Sequence, residues 1–191
     1  RGPTPRFDFE PLPHYELGAR LGILDCERGG KVAGSGWYFL RGDGARLERA
    51  LVTWFLDRHH ARGYEELFPP FCVTEQTLYG SGQLPKFVEE MYYIPADGLY
   101  AIPTAEVPVT AYHREEMLAE AELPKRYCAY SACFRREAGA AGAETRGILR
   151  VHQFNKVELL KLTTPESSEG ELEELTADAE ALLEGLGLRY R

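Results

Sequence analysis

The stretch that decides the fold runs from Phe134 to Leu159 and reads FRREAGAAGAETRGILRVHQFNKVEL. Two segments rich in arginine, glutamate and aromatic residues flank a run of small residues, Ala138–Gly142. This pattern predicts a β-hairpin with the arms Tyr127–Glu137 and Leu149–Leu162. An ordinary surface hairpin does not need this much charge on both arms. The charged residues therefore indicate that the hairpin binds a ligand.

Side chains alternate across a strand, so residues of equal parity share a face. One face of the two arms carries most of the charged residues and is called the charged face. Its members are Ser131, Cys133, Arg135, Glu137, Arg150, His152, Phe154, Lys156 and Glu158. The other face of the first arm is apolar and suits a core, with Cys128, Tyr130, Ala132 and Phe134. Pairing of the arms puts both charged faces on one side of the sheet.

The charged face has the chemistry of a nucleotide site. Guanidinium groups give forked donors to phosphate oxygens, a phenylalanine ring can stack on a purine, and glutamates accept from amino groups. The alternative is an exposed sheet face with alternating ion pairs. The small residues of the loop favour the ligand site, because they let a ligand approach the backbone closely.

The rest of the chain predicts an α+β fold, an antiparallel β-sheet flanked by helices. The predicted elements are a strand at Trp37–Leu40 ending in an Arg41–Gly44 turn, a helix at Ala45–Arg62, an extended segment at Glu65–Val73, a short helix after Val73, strands at Met91–Pro95 and Leu99–Ile102, a helix from Thr104 to about Glu122, and a last helix with Thr164 as cap and Pro165 as first residue. In the last helix, six residues form the predicted buried stripe, namely Leu172, Leu175, Ala179, Leu182, Leu183 and Leu186.

Charge and composition exclude several classes of protein. A net charge of −8 argues against broad nucleic-acid binding, although Lys125–Lys161 carries eight basic residues against three glutamates. No apolar run approaches a membrane span, and the N-terminus lacks the apolar core of a signal peptide, so a cytoplasmic protein without membrane contact is expected. The four cysteines have no zinc-site spacing and predict buried free thiols, and no metal site is expected in this chain.

Four segments together resemble class II aminoacyl-tRNA synthetases of the bacterial seryl type. FRREAG, TRGILRVHQF and VEL are similar to their motif 2 (about 127–159), and GSGWYFLRGDGARLERAL with GYEELFPPF resembles motif 1 (about 34–73), with Pro70 as its proline. Thr104-Ala105-Glu106 resembles the serine-binding segment, and the sequence from His14 resembles the entry to the catalytic domain. The resemblance covers most of residues 1–191, which are expected to form part of that catalytic domain.

The resemblance implies that serine and ATP react to seryl-adenylate, and that serine then passes to the 3′ end of tRNA(Ser). Arg135 would be catalytic, bridging the α-phosphate and the serine carboxylate. Arg136, Glu137 and Arg150 would belong to the ATP site, with Arg150 on the outer phosphates. Val151, His152, Gln153 and Phe154 would form the wall under adenine, with Phe154 stacking on the base. Thr104, Ala105, Glu106, Arg135 and Glu158 would bind serine, and motif 1 would form a homodimer.

Some residues keep an alternative interpretation. Thr104 could only cap a helix, His152 could be a packed strand histidine, and Arg136 and Arg146 could be surface charges or contacts to the tRNA acceptor end. Motif 3 and the tRNA-binding arm have no counterpart in this sequence, so ligands of Mg²⁺ are expected outside the chain and the fragment is expected to be poorly active alone. Two alternatives remain: a synthetase-like ligase that charges a carrier protein, and a non-catalytic nucleotide-binding or regulatory relative.

Overall fold

A computed structural model describes residues 6–138 and 147–190. These residues form the helices α1 (His14–Arg20), α2 (Cys26–Ala33), α3 (Asp43–His60), α4 (Glu75–Gly80), α5 (Glu106–Thr110) and α6 (Ser168–Gly185). They form the strands β1 (Leu24–Asp25), β2 (Phe39–Leu40), β3 (Glu65–Leu67), β4 (Cys72–Thr74), β5 (Tyr92–Ile94), β6 (Leu99–Ala101), β7 (Lys125–Phe134) and β8 (Gln153–Leu162). The predicted small-residue loop lies outside the described residues from Gly139 onward, as does Arg146.

The strands form two three-stranded sheets, ordered β3-β7-β8 and β4-β6-β5, and a small β1-β2 pair. Apart from the parallel pairing of β3 with β7, all strand pairs are antiparallel. The predicted α+β fold is therefore confirmed. The parallel pair is possible because a long connection separates β3 from β7, which a short hairpin turn could not provide.

The β7–β8 hairpin pairs over ten residues on each strand, from Lys125 with Leu162 to Phe134 with Gln153. Its charged face is not open along its whole length. Ser131 and Cys133 are fully buried on that face. Further along, Ala105 and Val109 from the α5 region pack on Tyr127 and Ala129 to form a core cluster. The face is therefore accessible only toward the end of the hairpin that carries Arg135.

One backbone hydrogen bond joins the two larger sheets, and a second extends the pairing of β6 with β4. Ile102, directly after β6, donates its amide to the carbonyl of Phe71 (3.0 Å) and accepts from the amide of Phe134 (2.8 Å). Ile102 is itself fully buried in a second core cluster with Leu78, Met91 and Val107. The segment after Ile102 is thereby fixed beside the end of β7.

Several predicted boundaries are wrong. Asp43 opens α3 after the N-cap Gly42, so the predicted Arg41–Gly44 turn is partly helical. The extended segment Glu65–Val73 divides into β3 and β4, which lie in different sheets. The two prolines between them cannot donate to a strand ladder and separate the two pairings.

Both predicted helices in the second half of the chain start or end elsewhere. The helix predicted from Thr104 to Glu122 ends at Thr110, and the chain then turns, with a left-handed Glu115 at φ +66°. The last helix begins at Ser168, because Ser167 rather than Thr164 is its N-cap. None of its predicted stripe is fully buried, and Leu172 is 61% exposed.

The cysteine prediction is half wrong. All four cysteines are free, but Cys26 and Cys72 are exposed while Cys128 and Cys133 are buried. The two buried thiols have opposite parity on β7, so they point to opposite faces of the sheet.

Candidate functional site

A cleft of about 470 Å³ lies beyond the accessible end of the hairpin. Three parts of the chain line it: the hairpin end, the residues after β6, and the segment between α4 and β5. The lining residues are Gln83, Phe87, Glu90, Met91, Pro103, Thr104, Glu106, Arg135, Glu137, Arg150 and Lys156. The cleft thus combines cations, carboxylates and one hydroxyl with an apolar wall.

Arg135 and Phe154 face each other at one end of the cleft. The register pairs Cys133 with Phe154, and Arg135 donates its amide to the carbonyl of His152 (2.9 Å). The guanidinium carbon of Arg135 stands 4.9 Å from the centre of the Phe154 ring. Both side chains are half-buried, so the cation and the ring lie at the mouth of the cleft and remain accessible to a ligand.

Glu137 and Arg150 form an ion pair that closes the hairpin end. Glu137 has a left-handed backbone at φ +52°, which turns the chain away from the direction of β7. The pair also borders a second hollow of about 520 Å³, shared with Arg135, Val151 and Phe154. A flat ligand in this hollow would meet the Phe154 ring and both guanidinium groups.

Thr104, Lys156 and Glu158 form a polar cluster at the other end of the cleft. The Thr104 hydroxyl donates to Oε2 of Glu158 (2.5 Å) and accepts from the amide of Glu106 (3.1 Å). Lys156 Nζ lies 2.6 Å from the same Oε2 atom. Ala105 is fully buried, so within the Thr104–Glu106 segment the two polar residues face the cleft. Thr104 therefore serves as a local cap and as a cleft residue at once.

Arg136, His152 and Gln153 do not line the cleft. Arg136 bonds through its amide to the carbonyl of Glu90 and through Nη1 to that of Glu89. His152 stacks on Trp37 at 5.6 Å, bonds the hydroxyl of Tyr92, and leaves no room for a side chain at Gly36. Its ring is thus packed between neighbouring aromatic residues directly before β8.

Gln153 lies on the sheet face that carries α3. It borders a small hollow of about 170 Å³ with Trp37, Tyr38 and Glu48, on the side where Asn155 donates to Glu48. Of the four residues predicted to form the wall under adenine, Val151 and Phe154 line the second hollow. His152 packs against Trp37 and Tyr92, and Gln153 lies on the opposite face of the sheet.

The cleft residues that sequence reasoning missed come mainly from one segment, with Gln83, Phe87, Glu90 and Met91 on it. No sequence pattern predicts that this segment lies beside the hairpin. Glu90 joins the two by accepting hydrogen bonds from the amides of Arg136 and Ala138. Lys156 was also given no role, although it shares the parity of Phe154 and Glu158. This shared parity is the sequence signal from which Lys156 could have been predicted as a site residue.

The thiols near the site do not offer a nucleophile. Burial raises the pKa of the Cys133 thiol, which lies beneath the charged face, and raises the pKa of Cys128 to about 11. Both thiols therefore stay protonated at neutral pH. In residues 6–138 and 147–190, no three His, Cys, Asp or Glu side chains stand together as a metal site.

The family model for the tRNA synthetase class II core domain (G, H, P, S and T) matches residues 92–191, more than half of the chain. The chain belongs to this family. The class II core covers β5 to α6 and therefore the whole hairpin and the polar cluster of Thr104, Lys156 and Glu158. Of the helices that the structure describes, none has the length and apolar character needed to cross a bilayer.

Relatives of this class II core confirm the predicted resemblance to seryl-tRNA synthetases. Serine–tRNA ligase of Desulforudis audaxviator is 60% identical over 191 residues, which is all of this chain and 45% of the relative. Serine–tRNA ligase of Caldicellulosiruptor bescii is 62% identical over 185 residues, 96% of this chain and 44% of the relative. The chain thus spans less than half the length of these relatives.

Solved structures agree with the fold. Seryl-tRNA synthetase of Pyrococcus horikoshii complexed with ATP has a TM-score of 0.90 and 38% identity, covering 93% of this chain and 40% of that one. Cytoplasmic serine–tRNA ligase of Naegleria fowleri in complex with AMP has the same TM-score and identity, covering 96% of this chain and 45% of that one.

Proposed function

We propose that this chain carries the serine-activating site of a seryl-tRNA synthetase. The observation that carries the proposal is the guanidinium of Arg135, which lies over the Phe154 ring and lines the same cleft as Thr104 and Lys156, the two residues that bond Glu158. A purine, a phosphate and an amino acid could therefore lie in line. The two solved relatives, which are complexed with ATP and with AMP, support a nucleotide as the ligand.

In the proposed reaction, a serine carboxylate oxygen attacks the α-phosphorus of ATP. A new phosphorus–oxygen bond forms, the bond to the β-phosphate bridge breaks, and pyrophosphate leaves with that electron pair. A ribose hydroxyl at the 3′ end of tRNA(Ser) then attacks the serine carbonyl, and AMP leaves. No covalent enzyme intermediate is required, so catalysis comes from positioning and charge neutralisation.

Each site residue takes one part of this scheme. Arg135 holds the α-phosphate and the serine carboxylate, Phe154 and Val151 border the adenine, and Arg150 with Glu137 lies at the outer phosphates. Glu158 accepts from the serine ammonium, and Thr104 and Glu106 face the serine hydroxyl. A pocket that bonds this hydroxyl rejects alanine, because its polar groups would be left unpaired.

The carboxylates of Glu137 and Glu158 do not fit a Mg²⁺ site. Glu137 is engaged by Arg150, and Glu158 by Lys156 and Thr104. We therefore assign no step to the ion through these residues, and ligands for Mg²⁺ bound with ATP would come from other parts of the protein.

A homodimer through motif 1 and a cytoplasmic location complete the proposal. Residues 34–73 expose several large apolar side chains, with Leu47 58% and Phe68 79% exposed, which supports a partner surface there. The exposed free thiols of Cys26 and Cys72 suit a reducing compartment. Neither alternative function is favoured, because the relatives described above are serine–tRNA ligases.

The test is ATP–pyrophosphate exchange by the complete gene product that contains this chain. We expect exchange that depends on serine, with alanine and threonine as matched controls, and subsequent charging of tRNA(Ser) but not of other tRNAs. Exchange that is no faster with serine than with alanine would contradict the proposal.

A further inference from the structure

Lys156 belongs to the polar cluster at one end of the cleft, where it pairs with Glu158. Phe154, Lys156 and Glu158 follow one another on the same face of β8, separated by roughly 7 Å per pair of residues in an extended strand. Lys156 lines the cleft and is one-third exposed. The fully buried Ser131 is its partner across the hairpin.

The contacts of Lys156 and Thr104 end on the same atom. Lys156 Nζ and Thr104 Oγ1 both bond Oε2 of Glu158, at 2.6 Å and 2.5 Å. These donors come from two different parts of the chain, the strand β8 and the segment before α5. Two bonds from different directions hold one carboxylate oxygen and so fix the rotation of the whole group.

The other oxygen of Glu158, Oε1, is not bonded by Lys156 or Thr104. Among the described residues, no side chain or backbone group donates a hydrogen bond to Oε1 of Glu158. A carboxylate offers about four acceptor positions over its two oxygens, so the group keeps capacity for a further donor. The α-ammonium of an amino acid is such a donor.

We propose that Lys156 is a positioning residue of the amino-acid subsite. It holds Glu158 in the orientation in which Oε1 receives the α-ammonium of the substrate. This inference rests on the proposed function, because it needs an amino acid in the cleft. A strand ion pair that served only the fold would add little to stability and would leave the amino-acid affinity unchanged.

The experiment compares Lys156→Met with the wild type in the complete gene product, using ATP–pyrophosphate exchange. Methionine keeps the length of the side chain and removes the charged donor. Loss of one charge-assisted hydrogen bond predicts a rise of about tenfold in KM for serine. KM for ATP is expected to stay within about twofold, since Glu158 lies at the opposite end of the cleft from Phe154.

Two further variants separate positioning from packing. Lys156→Arg retains a charged donor and is expected to recover most of the serine affinity. Lys31→Met removes an exposed lysine on α2 and serves as the matched control with unchanged kinetics. If Lys156→Met unfolds, Lys156→Gln provides the same measurement with a polar side chain.

A double variant with Thr104→Val tests the shared oxygen. Both residues act on Oε2. Thr104→Val is therefore expected to raise the serine KM by a smaller factor in the Lys156→Met background than in the wild type. An active wild type with an unchanged serine KM in Lys156→Met would overturn this inference alone. So would a rise in KM for ATP as large as that for serine. A wild type without serine-dependent exchange would overturn the proposed function and this inference together.

Discussion

The guanidinium of Arg135 stands over the ring of Phe154, 4.9 Å from the ring centre, although the two residues come from opposite arms of the hairpin. Cation–π contacts of this kind contribute about 0.5–2 kcal/mol, so each side chain helps to orient the other. The guanidinium covers one face of the ring. A purine would therefore stack on the other face or displace the guanidinium.

Phe154→Leu is expected to weaken ATP binding. Loss of a stacking surface costs about 1–3 kcal/mol, which predicts a rise in KM for ATP of roughly tenfold or more and a smaller change for serine. Steady-state pyrophosphate exchange measures both constants. Phe7→Leu removes an exposed ring elsewhere and is the control. Equal changes in the two KM values would refute stacking as the role of the ring.

Arg135→Lys is expected to lower kcat by about 100-fold while the melting temperature changes little. Lysine keeps the positive charge but lacks the planar fork that bonds two oxygens at once. The neighbouring Arg136→Lys is a close control, because Arg136 does not line the cleft and its guanidinium bonds the carbonyl of Glu89. Equal losses in the two variants would mean that position 135 acts through charge alone or through folding.

His14 is expected to support the ATP end of the cleft. Its Nε2 atom accepts from the amide of Ile148 (3.0 Å), two residues before Arg150, and a Cβ at Gly147 would lie 2.1 Å from that nitrogen. His14→Phe keeps a ring but loses the acceptor, so we expect a rise in KM for ATP of about fivefold.

The exposed His60→Phe is the control for His14→Phe, and Gly147→Ala should act in the same direction as His14→Phe. An unchanged KM for ATP in both variants would show that this end of the hairpin is held by other contacts.

The junction of β8 with α6 is expected to lose stability in acid. Lys161 is 3% exposed and lies 2.7 Å from Glu171 Oε2, and this hydrogen bond, with the charges of Lys161 and Arg126, lowers the pKa of Glu171 from its ordinary 4.5. A lowered carboxyl pKa contributes stability above the unfolded-state value, which is lost as the pH falls through the folded-state value.

Glu171→Gln is therefore expected to be less stable than the wild type at pH 7, with a difference that shrinks below about pH 4.5. Urea unfolding at several pH values measures it, with the exposed Glu173→Gln as control. A difference that stays constant with pH would contradict this origin.

The hairpin could be predicted from sequence because alternation along a strand fixes which side chains share a face. That rule correctly placed Arg135 against Phe154, and it put Lys156, the ion-pair partner of Glu158, on the face that lines the cleft. It does not predict that Ser131 is fully buried, or that Ala105 and Val109 cover Tyr127 and Ala129 on the same face. Alternation determines orientation, whereas access to solvent depends on tertiary packing.

The errors in the helices have a local cause. The helix predicted from Thr104 to Glu122 has suitable residues, but His113 bonds both Glu116 and the hydroxyl of Tyr127 in the sheet. These contacts hold a turn, and tertiary contacts outweigh helix propensity. Likewise, nothing in the sequence around Glu90 signals that its carbonyl and carboxylate bond the end of β7.

The Phe134–Ile102 hydrogen bond determines which parts of the cleft can move relative to each other. Arg135 follows directly after one partner, and Thr104 lies two residues after the other, so both are anchored to the same buried peptide linkage. Separation of Arg135 from Thr104 would strain or break this hydrogen bond between the two sheets. Any opening or closing of the cleft therefore comes from the surrounding segments. The distance between the Arg135 guanidinium and the Thr104 hydroxyl stays nearly constant.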